Sequence, residues 1–302
     1  MRIGIIGLGD IAKKAYLPVL SEREDIELVF CTRNADTLNQ LARKYRIREK
    51  VQTVEELIEQ NIDAAFVSTA TEAHYEITKR LLENGISTYI DKPISLNFQE
   101  TEEIVKLAKD TGKIAMVGFN RRFIPRVKDL KEQGSPNLII MQKNRFSAPD
   151  FPRRFVVEDF IHVVDTLRFL MDTEVNNVHV TFHQTGDKLD RLVVQLIGDG
   201  CIALGVMNRN GGVTEETIEY NTGTNKYVVD RLVDTTHFHH KEIRISKFDD
   251  WVPTLYKRGF YQLIDHFIDC VQHQKQPDPS IDDSFITHKI CEQIVQEIQS
   301  NG

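Results

Sequence analysis

The sequence predicts an α/β protein in two parts. The first is a parallel sheet covered by helices, and the second an α/β domain built on a large, mostly antiparallel open sheet. Three observations predict it. A short apolar segment, Arg2-Ile3-Gly4-Ile5-Ile6, runs directly into a glycine turn. Strand-like and helix-like segments then alternate as far as Phe119. Beyond Phe119 strand-like segments follow one another without helices between them. Alternation implies parallel strands with both faces covered, because a parallel crossover has room for a helix. Consecutive strands imply antiparallel pairing. The expected domains are 1–119 and 120–302.

In the first part, strands are expected at 2–6, 26–31, 63–68, 87–90 and 114–118, with helices at 11–22, 35–45, 53–60, 72–84 and 97–111. Thr53 with Glu56 three residues on is a capping box, and Gly85 and Gly112 stand where helices should stop. In the second part a short helix (124–133) precedes the turn Gly134-Ser135-Pro136 and a strand at 137–146. Residues 147–154 read as a loop and 158–171 as a helix. Strands follow at 175–184, 190–198, 200–208, 214–221, 225–230 and 241–246. Helices at 259–273 and 282–299, separated by Pro277 and Pro279, close the chain.

The formal net charge over 302 residues is −7, which excludes a broad nucleic-acid surface. No stretch approaches the roughly 18 consecutive apolar residues of a membrane helix, and the N-terminus lacks the pattern of a secretory leader. A cytoplasmic protein is expected. Cys31, Cys201, Cys270 and Cys291 are far apart and read as small core residues in a reducing compartment.

Gly7-Leu8-Gly9-Asp10-Ile11-Ala12 is a G-x-G-x-x-A turn between a strand and a helix. Gly7 permits the tight turn, and Gly9 lets a pyrophosphate approach the backbone. Ala12 allows close helix–strand packing, and the helix N-terminus offers free N–H groups. Cofactor choice is expected at the end of the second strand, where an acid would bind the ribose hydroxyls of NAD. Here Thr32-Arg33-Asn34 stands instead. Thr32 and the planar cation of Arg33 suit a 2′-phosphate, so NADP is the expected cofactor, with NAD as the alternative. Arg33 stacked on adenine or facing solvent is the competing reading. Ser68 and Thr69 end the third expected strand over the same crevice, Thr71 is a fair helix cap, and His74 either lines the ribose or packs.

Asp91-Lys92-Pro93 places a lysine at another strand end. Its ammonium can orient a substrate oxygen and stabilise charge developing there. Glu158, His162 and Asp165 are spaced i, i+4, i+7, which on an α-helix is one face, and Asp159 is a competing partner of His162. An imidazole flanked by carboxylates suits general acid–base work on a hydroxyl. Asn120 is a candidate to face nicotinamide or substrate. Arg121, Arg122, Arg126, Arg145, Arg153 and Arg154 form either a basic cleft for an anionic substrate or a solvated face of salt bridges. His237-Phe238-His239-His240 lacks acid or cysteine at ligand spacing, and strand alternation would separate His240 from the other two. No metal is expected.

With these motifs assembled, the chain resembles the Gfo/Idh/MocA oxidoreductase family over essentially its whole length. The resemblance rests on Gly7–Ala12, on Asp91-Lys92-Pro93 in place of the family's Glu-Lys-Pro, on Gly118-Phe119-Asn120-Arg121-Arg122-Phe123 and on His162-x-x-Asp165. Tyr16-Leu17-Pro18-Val19-Leu20 and Phe160-Ile161-His162-Val163-Val164-Asp165-Thr166 resemble more narrowly its MviM-type branch. The resemblance implies a Rossmann domain, a dimer through the second sheet, and hydride transfer between NAD(P) and a hydroxyl-bearing carbon of a sugar or cyclitol. It implies that Lys92 binds the reacting oxygen or tunes the proton relay and that His162 is the acid/base, with Glu158 where the family usually has an aspartate. Phe160 stands where glycine is common. Some similar proteins keep the nucleotide site without turnover, so a regulatory binding protein is the alternative.

Overall fold

The computed structural model describes residues 1–301. The chain divides into two compact units. One is Met1–Phe119 together with Phe260–Ile286; the other is Asn120–Gly259 together with the chain from Thr287 onward.

The first unit holds six parallel strands: β1 (Arg2–Ile6), β2 (Glu27–Cys31), β3 (Glu49–Val51), β4 (Ala64–Val67), β5 (Ser87–Ile90) and β6 (Ala115–Val117). Their order is β3-β2-β1-β4-β5-β6, so chain direction across the sheet reverses between β1 and β4. The strands are short and almost wholly apolar because both faces are covered. On one face Ile6, Val29, Ala65 and Val67 pack with Leu57 and Leu81 from the helices Val54–Ile58 and His74–Glu83. On the other, Phe66 and Tyr89 meet Tyr16 and Phe267 edge-on or tilted.

That second face explains a departure from the expected division of the chain. By sequence position the helix Phe260–His273 belongs to 120–302, yet it packs with the first unit. Its Phe260 and Phe267 cover aromatic surface on β4, β5 and the first helix that would otherwise meet water. β3 is a further departure: three residues, Glu49-Lys50-Val51, none of them buried, add an edge strand that carries no apolar signal.

Thr71 does not cap as expected, since it lies inside the 3₁₀ turn Thr71–Ala73 and the helix His74–Glu83 has no side-chain cap, whereas the other caps form. Thr53 accepts from the Glu56 N–H at 3.1 Å while the Glu56 carboxylate accepts from Thr53 N–H at 3.2 Å. Asn34 caps the helix Ala35–Tyr45 through the Thr37 N–H, and Gly112, with φ of 63°, ends the helix Phe98–Thr111.

The second unit is an eight-stranded sheet. Its strands are β7 (Leu138–Asn144), β8 (Asn177–Thr185), β9 (Lys188–Gly198), β10 (Cys201–Asn208), β11 (Glu215–Asn221), β12 (Lys226–Asp230), β13 (Asp234–His239) and β14 (Glu242–Ser246). The order is β14-β13-β12-β11-β7-β10-β9-β8, and every neighbouring pair is antiparallel except β7 with β10. β13 lies in a segment not expected as a strand. Ile139, Met141, Leu192, Val194, Leu196 and Ala203 face the helix Ile161–Leu170 side and are buried. Gly205 lets that helix lie close: a Cβ there would fall 2.8 Å from Val163 Cγ1. The opposite face, with Val193, Ile202, Leu138 and Ile140, is partly exposed.

Candidate active site

A cavity of about 920 Å³ opens at the carboxyl ends of β1, β2 and β4, where the strand order reverses. This is the place where open α/β sheets bind ligands. Gly7, Gly9, Asp10, Ile11, Thr32, Arg33, Ser68 and Thr69 all line it. Gly7 has φ of 87°, and a Cβ there would lie 2.7 Å from both Ser68 O and Thr69 N. Glycine is therefore dictated by the protein itself. Gly9 differs: a Cβ there would meet nothing within 4 Å. The open space over Gly9, beside the helix that begins at Asp10, is a cradle that suits a pyrophosphate. Asp10 reaches Lys14 at 2.9 Å on the surface.

At the β2 end, Gln52 Nε2 donates to Arg33 O at 3.0 Å and fixes the loop. The Arg33 side chain is exposed, and its guanidinium has no ion-pair or hydrogen-bond partner among the described residues. Lys13, Thr37, Gln52, Thr53, Val54 and Glu55 also line the cavity and are not among the expected site residues. The capping box at Thr53 was the available signal, because it places that helix start beside the β2 end. Glu55 is ion-paired with Arg80.

Ala12, His74, Asp91, Lys92, Pro93 and Asn120 do not line this cavity. Ala12 is fully buried and packs the helix onto the sheet. His74 is buried, with Nδ1 2.8 Å from Pro93 O and Nε2 3.2 Å from Thr69 O, so it ties two strand-end loops together. Of its two readings, packing is the one the geometry favours. Asp91 accepts a hydrogen bond from the Tyr16 hydroxyl at 2.6 Å. Lys92 follows at the end of β5, joined to Pro93 by a cis peptide. Asn120 is turned to its own unit: Nδ2 donates to Arg258 O at 3.0 Å, and Oδ1 accepts from Arg121 Nη1 at 3.3 Å.

In the second unit, residues Phe155–Phe160 form a π-helical turn that leads into the helix Ile161–Leu170. The wider i→i+5 turn breaks the α-helical spacing on which a single Glu158–His162–Asp165 face depended. His162 is 8% exposed. Glu158 carries an ion pair with Arg154 at 3.2 Å. Asp159 pairs with the buried Lys143 and with Arg145. Asp165 is buried. Arg122 grips it, with Nη2 2.7 Å from Oδ1 and Nε 3.0 Å from Oδ2, and Thr287 donates to Oδ1 at 3.1 Å. A buried guanidinium demands a counter-charge, and Asp165 supplies it.

The arginines read as either a basic cleft or a face of salt bridges each have a carboxylate partner. Arg121 pairs with Glu216, Arg126 with Asp129, Arg145 with Asp159, Arg153 with Glu292 and Arg154 with Glu158, besides Arg122 with Asp165. His237 and His239 share Asn225 Oδ1, at 2.8 and 3.0 Å. No helix among the described residues is long and apolar enough to cross a membrane.

The parallel sheet, its switch point and the glycine cradle define a dinucleotide-binding fold. Residues 1–119 match the model of the oxidoreductase family with the NAD-binding Rossmann fold, GFO_IDH_MocA. YceM of Salmonella typhimurium is 30% identical over 309 residues, which span 97% of this chain and 96% of that protein. The crystal structure of the MviM dehydrogenase of Clostridium difficile matches with a TM-score of 0.94 at 29% identity, covering 98% of this chain and 99% of that one. The scyllo-inositol 2-dehydrogenase (NAD(+)) of Bacillus subtilis is 26% identical over 266 residues, 79% of this chain and 76% of the enzyme. The chain belongs to the Gfo/Idh/MocA family of oxidoreductases.

Proposed function

We propose that the protein is an NADP-preferring dehydrogenase acting on a hydroxyl-bearing carbon of a neutral sugar, cyclitol or related small polyol. The observation that carries the reading is the cavity at the switch point, with open space over Gly9 and the unpartnered Arg33 cation at its β2 end. Thr32 and Arg33 would hold the 2′-phosphate, and pairing of Glu55 with Arg80 lessens the repulsion an acid on that wall would exert. The similarity to a scyllo-inositol dehydrogenase supports a polyol substrate. The carboxylate partners of the arginines argue against the anionic substrate that the run of basic residues suggested.

A nicotinamide dinucleotide held in this cavity would supply the hydride chemistry. Lys92 binds the reacting oxygen and stabilises negative charge on it. His162 takes the hydroxyl proton on oxidation and returns it on reduction. Glu158 tunes His162. Asp165 is a positioning residue, holding the His162 helix through Arg122 and Thr287. The reading further includes a cytoplasmic location, supported by four free buried cysteines, and a homodimer through the open face of the second sheet, supported by exposed Val193, Ile202, Ile243 and Ile245.

The test is a screen of inositols, hexoses and sugar alcohols with NADP⁺ and NAD⁺, followed by His162→Ala and Lys92→Ala. On a substrate that the wild type oxidises, each variant should lose roughly 10²–10⁴-fold in turnover with NADPH affinity nearly unchanged. Tight NADPH binding without turnover across the panel would favour the regulatory alternative. Turnover that survives both substitutions would remove the assigned roles.

A further inference from the structure

Tyr16 closes the π-helical turn Ala12–Tyr16 that follows the glycine cradle. It is 1% exposed, and its hydroxyl lies 2.6 Å from Asp91 Oδ1. The Tyr89 hydroxyl lies 3.1 Å from that of Tyr16. Tyr16 has a single hydroxyl proton, and the carboxylate takes it. Tyr89 therefore donates to the Tyr16 oxygen, and the chain of donors runs Tyr89 to Tyr16 to Asp91. Burial, and then the Asp91 charge, push both phenols well above their ordinary value, so both remain donors.

The chain ends blind. Around the two phenols stand Phe66, Phe260 and Phe267, with ring centroids 4.6 to 6.0 Å apart, and Gly118 lies so close to Tyr89 that a Cβ would overlap its hydroxyl. No proton has an exit there, so the network orients and does not relay. What it orients is the segment that carries Lys92. The Asp91 N–H donates to Val67 O at 2.9 Å, which ties it to the end of β4. The Tyr16 hydroxyl ties its side chain to the first helix. Pro93 O is held by His74 at 2.8 Å. Lys92 lies between these anchors.

We propose that Tyr16, backed by Tyr89, is a positioning residue that acts through Asp91 to fix the main chain from which the Lys92 ammonium reaches the substrate oxygen. This rests on the reading of Lys92 given above. Tyr16 touches neither the nucleotide cavity nor substrate in this role. It matters because Asp91 is one methylene shorter than the glutamate usual in this motif, and the buried phenol reaches the shorter arm.

Tyr16→Phe removes one oxygen and keeps the ring packing, so the fold should persist. Three measurements on Tyr16→Phe, Asp91→Asn and the double variant decide the matter. Hydrogen exchange should quicken in 89–96 and stay unchanged in 7–13 and 32–37. Acetylation of Lys92 by acetic anhydride, compared with exposed Lys14, should change several-fold and alike in both single variants. On the polyol that the wild type oxidises, kcat should fall about ten- to a hundredfold with KM and NADPH affinity little changed. The double variant should be no worse than Asp91→Asn alone. Wild-type exchange and wild-type Lys92 labelling in Tyr16→Phe would overturn the proposal, as would single effects that multiply, or a loss spread evenly over cofactor binding, exchange and melting temperature. The first two measurements need no substrate. If no polyol is oxidised, the dehydrogenase reading fails while they still decide the tether.

Discussion

Arg122 and Asp165 form a two-pronged ion pair in which the guanidinium is 7% exposed and the carboxylate 1%. The Arg122 guanidinium also lies over the Phe169 ring at 5.5 Å, and Thr287 closes the remaining side of the carboxylate. The pair fastens the helix that carries His162 to the chain just past Phe119. Asp165→Asn keeps the shape and removes one charge of a buried, hydrogen-bonded ion pair. The expected cost is about 3–5 kcal/mol in urea unfolding. A cost below about 1 kcal/mol, the range of a surface pair, would mean that water reaches the pair.

Arg33 is the residue on which the cofactor preference turns. Its guanidinium is unpartnered, so truncation leaves no buried charge behind and should leave stability within about 0.5 kcal/mol. Arg33→Ala should weaken NADPH by roughly 1.5–3 kcal/mol, about ten- to a hundredfold, through loss of a charged hydrogen bond, and leave NADH nearly unchanged. Fluorescence titration with each nucleotide measures this. Equal weakening of both would mean that Arg33 stacks on the adenine they share.

Gly7 and Gly9 make separable predictions although they stand two residues apart. In Gly7→Ala the added methyl meets Ser68 O and Thr69 N at a positive φ, so the turn itself must move. Both stability and NADPH binding should suffer, the former by more than about 1 kcal/mol. In Gly9→Ala the methyl enters open space. The melting temperature should hold, while NADPH affinity drops at least about tenfold because the methyl occupies the approach of the phosphates. Parallel melting and titration curves test the pair. Full affinity in Gly9→Ala would show that the nucleotide does not pass over that residue.

Much of this was legible because the signals are local. The Gly7–Ala12 turn, the Thr53–Glu56 capping box and the apolar runs of β1, β2, β4 and β5 are each written within a few residues. What was not legible depends on partners distant in sequence or on small backbone changes. Arg122 finds Asp165 across 43 positions, and a run of arginines does not announce that each will meet a carboxylate. The π-helical turn at Phe155–Phe160 shifts the spacing that a 3.6-residue period assumes. The helix Phe260–His273 joins the first unit because it covers the Phe66 and Tyr89 face, and that need is visible only once the sheet has formed.

Asp159 makes the pH prediction. It is ion-paired with Lys143, whose side chain is 2% exposed, and with Arg145 at 3.2 Å. Burial alone would raise its carboxyl; the Lys143 charge, followed by Arg145, outweighs this and holds it well below the usual carboxylate range. Burial pulls the Lys143 ammonium down to about 8 in spite of its partner. The carboxylate has the lower value in the folded state. As the solution is acidified below about pH 4, the unfolded chain therefore takes up a proton that the folded chain refuses. The pair's stabilisation is present between that range and the neighbourhood of pH 8, where Lys143 gives up its proton, and is lost as the pH falls through the acid range. Asp159→Asn should cost about 3 kcal/mol at pH 7, where Lys143 and Arg145 lose their counter-charge. The gap to wild type should narrow steadily between pH 5 and pH 3, about where the unfolded carboxyl titrates. Urea midpoints of both proteins across that range measure it. A gap that stays constant would assign the loss at pH 7 to packing rather than to charge.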